Sequence, residues 1–187
     1  MGRPAGGRSL RFRPLNERVL RQIRVVLVES QNLVNIAAVV RAMKNMGLGH
    51  LRLVDPAEFD AYRITGIAHR TDDIVDRTTF HDSLRDAVSD CVYVLGTTAR
   101  ARTDKRNYGR PRALAETLVE KAAEGPVAIV MGREDRGLSN EDLDLCHALA
   151  IIPTDPEYSS LNMAQAFLIM AYEAFLAADG AEAAELP

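Results

Sequence analysis

Side chains able to do chemistry gather in three places along this sequence. Gly132, Arg133 and Glu134 follow at once on the apolar run 127–131. Ser159, Ser160 and Asn162 stand just beyond a second run, 148–152, in the string IIPTDPEYSSLN. Near the start, Asn35 and Arg41 follow the run 24–28 and its polar exit Glu29, Ser30, Gln31. Short apolar runs ended by Gly, Pro or polar groups suit strands buried on both faces. Gly132 lets the backbone turn tightly or come close to a ligand. Ser160 and Asn162 have the chemistry of helix caps, whose side chains accept from the first free N–H groups. Polar groups thus collect at strand exits and at the start of a helix, where open α/β sheets bind their ligands.

The elements that must hold these groups are readable from spacing. Leu33, Ile36, Ala37, Val40 and Met43 mark one face of a helix over 32–46, stopped by Gly47 and Gly49. His50–Val54 reads as a strand, 78–80 as a short strand, 83–89 as a short helix and 91–95 as a strand. Gly96-Thr97-Thr98 is its exit, an ordinary turn on its face. Residues 58–76 read as helix with an irregular middle near Gly66, 100–110 as a mobile loop and 113–122 as helix. Ser139 opens a capping box with Asp142. Ala164, Phe167, Leu168, Ala171 and Phe175 recur at helical spacing. Alternating strands and helices predict an α/β fold, a mainly parallel sheet with helices on both faces. The chain divides into a basic extension over 1–20, expected to be flexible, one domain over 21–178, and a short tail over 179–187.

Composition narrows the class. The 187 residues suffice for one domain with a sizeable core. No apolar run reaches membrane-spanning length, and the Arg-bearing start is not a secretory signal. Cys91 and Cys146 make no disulfide framework, so a reducing cytoplasm is expected. The four histidines stand in no metal-ligand spacing with them, and no metal is expected. The net charge of −3 hides an asymmetry: residues 1–24 carry seven Arg against one Glu, and 100–112 carry five Arg and one Lys against one Asp. Two basic segments on an otherwise acidic chain fit contact with nucleic acid. A solvated tail is an equal reading for residues 1–14, and RNA contact is preferred for 100–112.

At this point a resemblance becomes specific. GREDRGLSNED, followed by IIPTDPEYSSLNMAQA, resembles the second and third signature motifs of the SPOUT methyltransferases, SpoU branch, TrmJ-type tRNA ribose methyltransferases in particular. The stretch ESQNLVNIAAVVRAMKNMG resembles the first motif, and the similarity spans roughly 22–176. It departs at Ala37, where the family has Gly, and at Leu33-Val34, which replace a smaller, more polar pair. The resemblance implies a C-terminal trefoil knot, a homodimer, and methyl transfer from S-adenosylmethionine to an RNA ribose 2′-hydroxyl. tRNA is the expected substrate, with its anticodon loop as the candidate region. It places the cofactor against Thr97, Thr98, Ala99, Gly132, Ile152, Ser159, Ser160 and Leu161. It gives catalytic parts to Asn35, Arg41, Glu134, Ser160 and Asn162. RNA contacts are expected from Arg41 and from Arg100, Arg102, Lys105, Arg106 and Arg110. The family pattern continues into a further helical segment that 178–187 do not supply.

Elementary chemistry constrains these roles. A ribose hydroxyl is a weak nucleophile at neutral pH and needs help losing its proton. A guanidinium stays protonated in proteins, so Arg41 as a simple base is resisted. The alternative sets Arg41 on a phosphate flanking the target ribose, whose oxygen takes the proton. Asn35 and Arg41 lie about 120° apart round a regular helix and meet one site only if Asn35 sits at an irregular helix start. Glu134 reads equally as a surface carboxylate paired with Arg133 or Arg136. Tyr158 stacks on a base, closes the pocket or, the preferred reading, packs in the core. rRNA methylation and a non-catalytic RNA-binding protein on the same scaffold are the competing functions. A nucleotide-dependent oxidoreductase is disfavoured because no GxGxxG follows the first strand.

Overall fold

The computed structural model describes residues 14–99 and 107–179. Seven strands, β1 (Ile23–Val28), β2 (His50–Val54), β3 (Thr79–His81), β4 (Tyr93–Thr97), β5 (Tyr108–Gly109), β6 (Val127–Met131) and β7 (Ala148–Ala150), form one sheet. Their order is β3-β2-β1-β6-β4-β7-β5, and every pairing is parallel. All strand exits therefore lie along one edge. Eight helices join them: α1 (Pro14–Leu20), α2 (Leu33–Asn45), α3 (Ala61–Ile67), α4 (Asp72–Val75), α5 (Leu84–Ala87), α6 (Pro111–Ala122), α7 (Asn140–Asp144) and α8 (Met163–Asp179).

Residue alternation along the strands produces two cores. Ile23, Val25 and Leu27 of β1, with Val127, Ile129 and Met131 of β6, pack under α2, α6 and α8. Val26, Val28, Ala128 and Val130 face the other way, towards Leu84 and Ala87 of α5 and Leu143 of α7. Both faces are covered, so the strands read as continuous apolar runs. Phe167 of α8 is fully buried in the larger core, and its burial contributes about 1.5–3 kcal/mol.

Helix boundaries follow local chemistry. Asn32 caps α2 by accepting from the Val34 N–H, and Gly47 turns the chain away at φ +69. Pro111 opens α6. Ser139 and Asp142 form the expected reciprocal capping box of α7. Asn162 accepts from the Ala164 and Gln165 N–H groups at the head of α8.

Three expectations change. The last seven residues of the 1–20 extension are ordered as α1, because Leu20 finds a place in the core beneath α8. The 58–76 segment is two helices that break after Ile67, beyond Gly66, where Ala68 and Thr71 turn inward and are buried. Strand β4 continues to Thr97, so Gly96 is a strand residue. A Cβ there would lie 2.6 Å from the Cys146 sulfur and 2.8 Å from Leu149, so glycine admits the segment leading into β7. That strand lies between β4 and β5, which precede it in sequence.

Candidate active site

Strands β4, β6 and β7 leave the sheet together, and their exits frame a cavity of about 830 Å³, within the range of small-molecule sites, about 300–1,000 Å³. Thr97, Thr98, Ala99, Gly132, Ile152, Ser159, Ser160 and Leu161, the eight residues expected to meet a cofactor, all line it. Sequence reasoning missed Met131, Leu138, Met163 and Ala166 in its wall. Their apolar character reads as core, and only the turn of the loops brings them to the cavity. The mix of apolar walls with hydroxyl and backbone polar groups suits a ligand that is part heterocycle, part zwitterion.

Gly132 makes the geometry. A Cβ on it would stand 2.2 Å from the Leu138 nitrogen and 2.3 Å from the Gly137 carbonyl carbon. The loop closes on itself through the Gly137 N–H, which donates to the Arg133 carbonyl at 2.8 Å. This turn carries Glu134 across to the exit of β1. There its Oε1 accepts from Ser30 Oγ (3.1 Å), the Asn32 N–H (3.2 Å) and Asn35 Nδ2 (3.1 Å), and its Oε2 accepts from the Gln31 N–H at 2.9 Å. Burial pushes its pKa up, but the donors, Asn35, Gln31 and Ser30 among them, outweigh burial and hold it below the ordinary value. Ser30, Gln31 and Asn32 were not expected here. The signal available was only their position as the polar exit of β1.

The pairing of Glu134 with Arg133 or Arg136 does not occur among the described contacts. Arg133 binds Asp135 at 2.7 Å, and Arg136 binds Glu29 at 2.5 Å. Glu29 itself holds a left-handed φ of 49.

Asn35 joins two loops. It occupies the first turn of α2, where its N–H bonds the Asn32 carbonyl three residues back. Its Oδ1 accepts from Asn162 Nδ2 at 2.9 Å. The amide orientations are fixed by their neighbours. A carboxylate only accepts, so Asn35 turns its NH₂ to Glu134. Helix N–H groups only donate, so Asn162 turns its oxygen to α8 and its NH₂ to Asn35.

Arg41 lies apart from this group. It is exposed on α2, absent from the cavity wall, and in no ion pair among the described residues. Ser160 lines the cavity and is exposed. Ala37 is fully buried in the larger core and does not touch the cavity. Tyr158, expected in the core, is 83% exposed because the 153–160 loop stands out from the sheet edge. Arg110 is exposed at the head of α6, while Arg100, Arg102, Lys105 and Arg106 lie outside the described residues.

Comparison with known proteins gives this arrangement a family. The sequence profile of the SpoU rRNA Methylase family matches residues 22–172, and the chain belongs to that family. A tRNA (cytidine/uridine-2'-O-)-methyltransferase TrmJ from Pectobacterium atrosepticum is 42% identical over 159 residues, 85% of this chain and 66% of the relative. A probable methylase family protein from Haemophilus influenzae Rd KW20 superposes with a TM-score of 0.79 at 42% identity, covering 84% of this chain and 66% of that one. TrmJ from Z. mobilis ZM4 superposes with a TM-score of 0.75 at 35% identity, covering 81% and 68%. The chain thus spans just under two thirds of the length of the curated relative. Membership of a methylase family implies a methyl-donor cofactor in general terms. No described helix is long and apolar enough to cross a membrane.

Proposed function

We propose that the chain methylates the 2′-hydroxyl of a ribose in RNA, tRNA being the substrate, with S-adenosylmethionine as donor. The observation that carries this reading is the cavity at the exits of β4, β6 and β7, bordered by the Glu134–Asn35–Asn162 chain of hydrogen bonds. Its support from relatives is the 2'-O-methyltransferase name of a protein 42% identical to this chain.

When bound, the donor supplies a methyl carbon made electrophilic by a cationic sulfur. Backbone groups of 97–99, 132 and 159–161 would hold its polar edges, and Leu138, Ile152 and Met163 would cover its apolar faces. Glu134, ionised at neutral pH, fixes the β1 exit and the head of α8 against each other, so the two walls of the ribose site keep their spacing. Arg41 sits on a phosphate beside the target ribose and, staying protonated, orients it; a phosphate oxygen takes the hydroxyl proton. Because Arg41 stands off its own chain's cavity, it serves the site of a second copy. Leu168 and Tyr172, 42% and 48% exposed on the outer face of α8, form the contact of that homodimer. A C-terminal trefoil knot goes with this reading, and the placement of β7 between β4 and β5 is in keeping with it. Cys91 and Cys146, neither of them in a disulfide, fit work in the cytoplasm.

The test is transfer of labelled methyl from S-adenosylmethionine to separate tRNA and rRNA pools, followed by nucleoside analysis. Expected is label on tRNA 2′-O-methyl nucleosides, with Arg41→Ala folded but at least about 100-fold slower. Label on rRNA alone moves the substrate, label on a base rejects the ribose, and RNA binding without transfer returns the non-catalytic reading.

A further inference from the structure

We propose a phosphate-binding subsite in a notch at the opposite edge of the sheet, where the strands begin. Arg24 and His50 are register partners on β1 and β2, and Arg52 pairs with Thr79 of β3. By strand alternation all four face the α5 side, as Val26, Val28 and Val54 do. A cavity of about 260 Å³ opens there, lined among others by His50, Arg52, Arg77 and His81.

Arg52 and Arg77 in the lining are matched by Asp86 and Asp90, and Arg24, beside the notch as the register partner of His50, brings the excess positive charge. Asp90 is taken by Arg52 through two contacts, 2.6 and 2.9 Å, and Asp86 by His81 at 2.7 Å. Asp73 is shared between Lys44 at 2.7 Å and Arg77 at 3.4 Å. Arg24 is in no ion pair among the described residues; its Nη1 donates to the Arg21 carbonyl at 2.8 Å. The His50 ring makes no hydrogen bond among them. Burial, then the guanidinium groups of Arg24, Arg77 and Arg52, hold the His50 pKa down. Burial and Arg52 likewise lower that of Arg24.

Half-buried cations crowded together are unfavourable unless an anion joins them. A tetrahedral oxyanion has acceptors enough for the open N–H groups of Arg24 and Arg77 and for the His50 ring. Its dianionic or diester charge offsets the excess. The phosphate belongs to an RNA backbone or to a small free phosphate. Arg24 ends the segment 1–24 with its seven Arg against one Glu, which favours the backbone source. Methyl transfer at the far edge of the sheet does not need this contact, so it adds a second point of attachment.

The full-length chain is titrated with inorganic phosphate against chloride at equal ionic strength, following the His50 ring by nitrogen-15 NMR. A saturable shift is expected, at least about tenfold weaker in Arg24→Gln/Arg77→Gln. In the second arm, unmodified tRNA competes with phosphate at the His50 signal, and the salt slope of RNA binding falls by about one per lost contact in the double variant. Phosphate binding with an unchanged slope upholds the subsite and assigns it to a free phosphate. No shift, or the same shift in the double variant, overturns the proposal. Methyl transfer that persists in that case leaves the functional reading standing alone.

Discussion

Asn35 Oδ1 and Asn162 Nδ2 stand 2.9 Å apart across 127 residues of chain. With Glu134 as third member, this contact binds the exits of β1 and β6 to the head of α8. Each donor in it faces an acceptor, and no member can be inverted without setting like against like.

Glu134→Gln tests that polarity. A glutamine oxygen can keep the three Oε1 contacts, but its NH₂ then faces the Gln31 N–H. The expected cost is about 1–3 kcal/mol in urea unfolding, towards the lower end because the site is only part-buried. Methyl transfer is expected to fall at least about tenfold, since small displacements of reacting groups are costly. Full activity with unchanged stability would refute the positioning role.

Gly132→Ala should be far more damaging than its single methyl suggests. The new carbon meets backbone atoms at 2.2 and 2.3 Å, which cannot rotate away. A loss of about 3 kcal/mol or more is expected, together with loss of donor binding by calorimetry. A variant with normal stability and affinity would show that the loop closes in another way.

Asp90 gives a pH dependence with a defined sign. Its hydrogen bond to the Arg52 guanidinium, with their charge attraction, holds its carboxyl well below the ordinary aspartate value near 3.8. The folded state therefore binds the proton less readily than the unfolded one. The resulting stability is present above 3.8 and drains away as pH falls through the depressed folded value. Asp90→Asn should lower the urea midpoint at pH 7, and the gap to wild type should narrow steadily below about pH 4. A gap that stays constant with pH would deny the linkage.

Leu168→Glu/Tyr172→Glu should leave the monomer folded, because both side chains are already in contact with solvent in the single chain. Light scattering should show the mass halved and methyl transfer lost. Unaltered mass would place the contact elsewhere or remove it.

The sequence made much of this legible, for identifiable reasons. β2 and β6 were found to the residue because apolar runs ended by turn formers have few other uses. The Ser139–Asp142 box was readable because both its bonds are local. The partners of Glu134 were not, since Ser30 and Asn35 lie 104 and 99 residues away, and local pattern favours the adjacent arginines. Tyr158 shows the same limit in reverse. An aromatic ring beside a strand reads as core, and only the path of the loop puts it in water.

The strand order sets a schedule for synthesis on the ribosome. β7 must slide between β4 and β5, both made some forty or more residues sooner, before the sheet is whole. Until then β4 presents a naked edge, an invitation to mispairing with other chains. A nascent chain halted before residue 148 has neither the β7 exit nor the head of α8, so it encloses no cavity. Enclosure of the cavity is thereby the last step that the strand order allows.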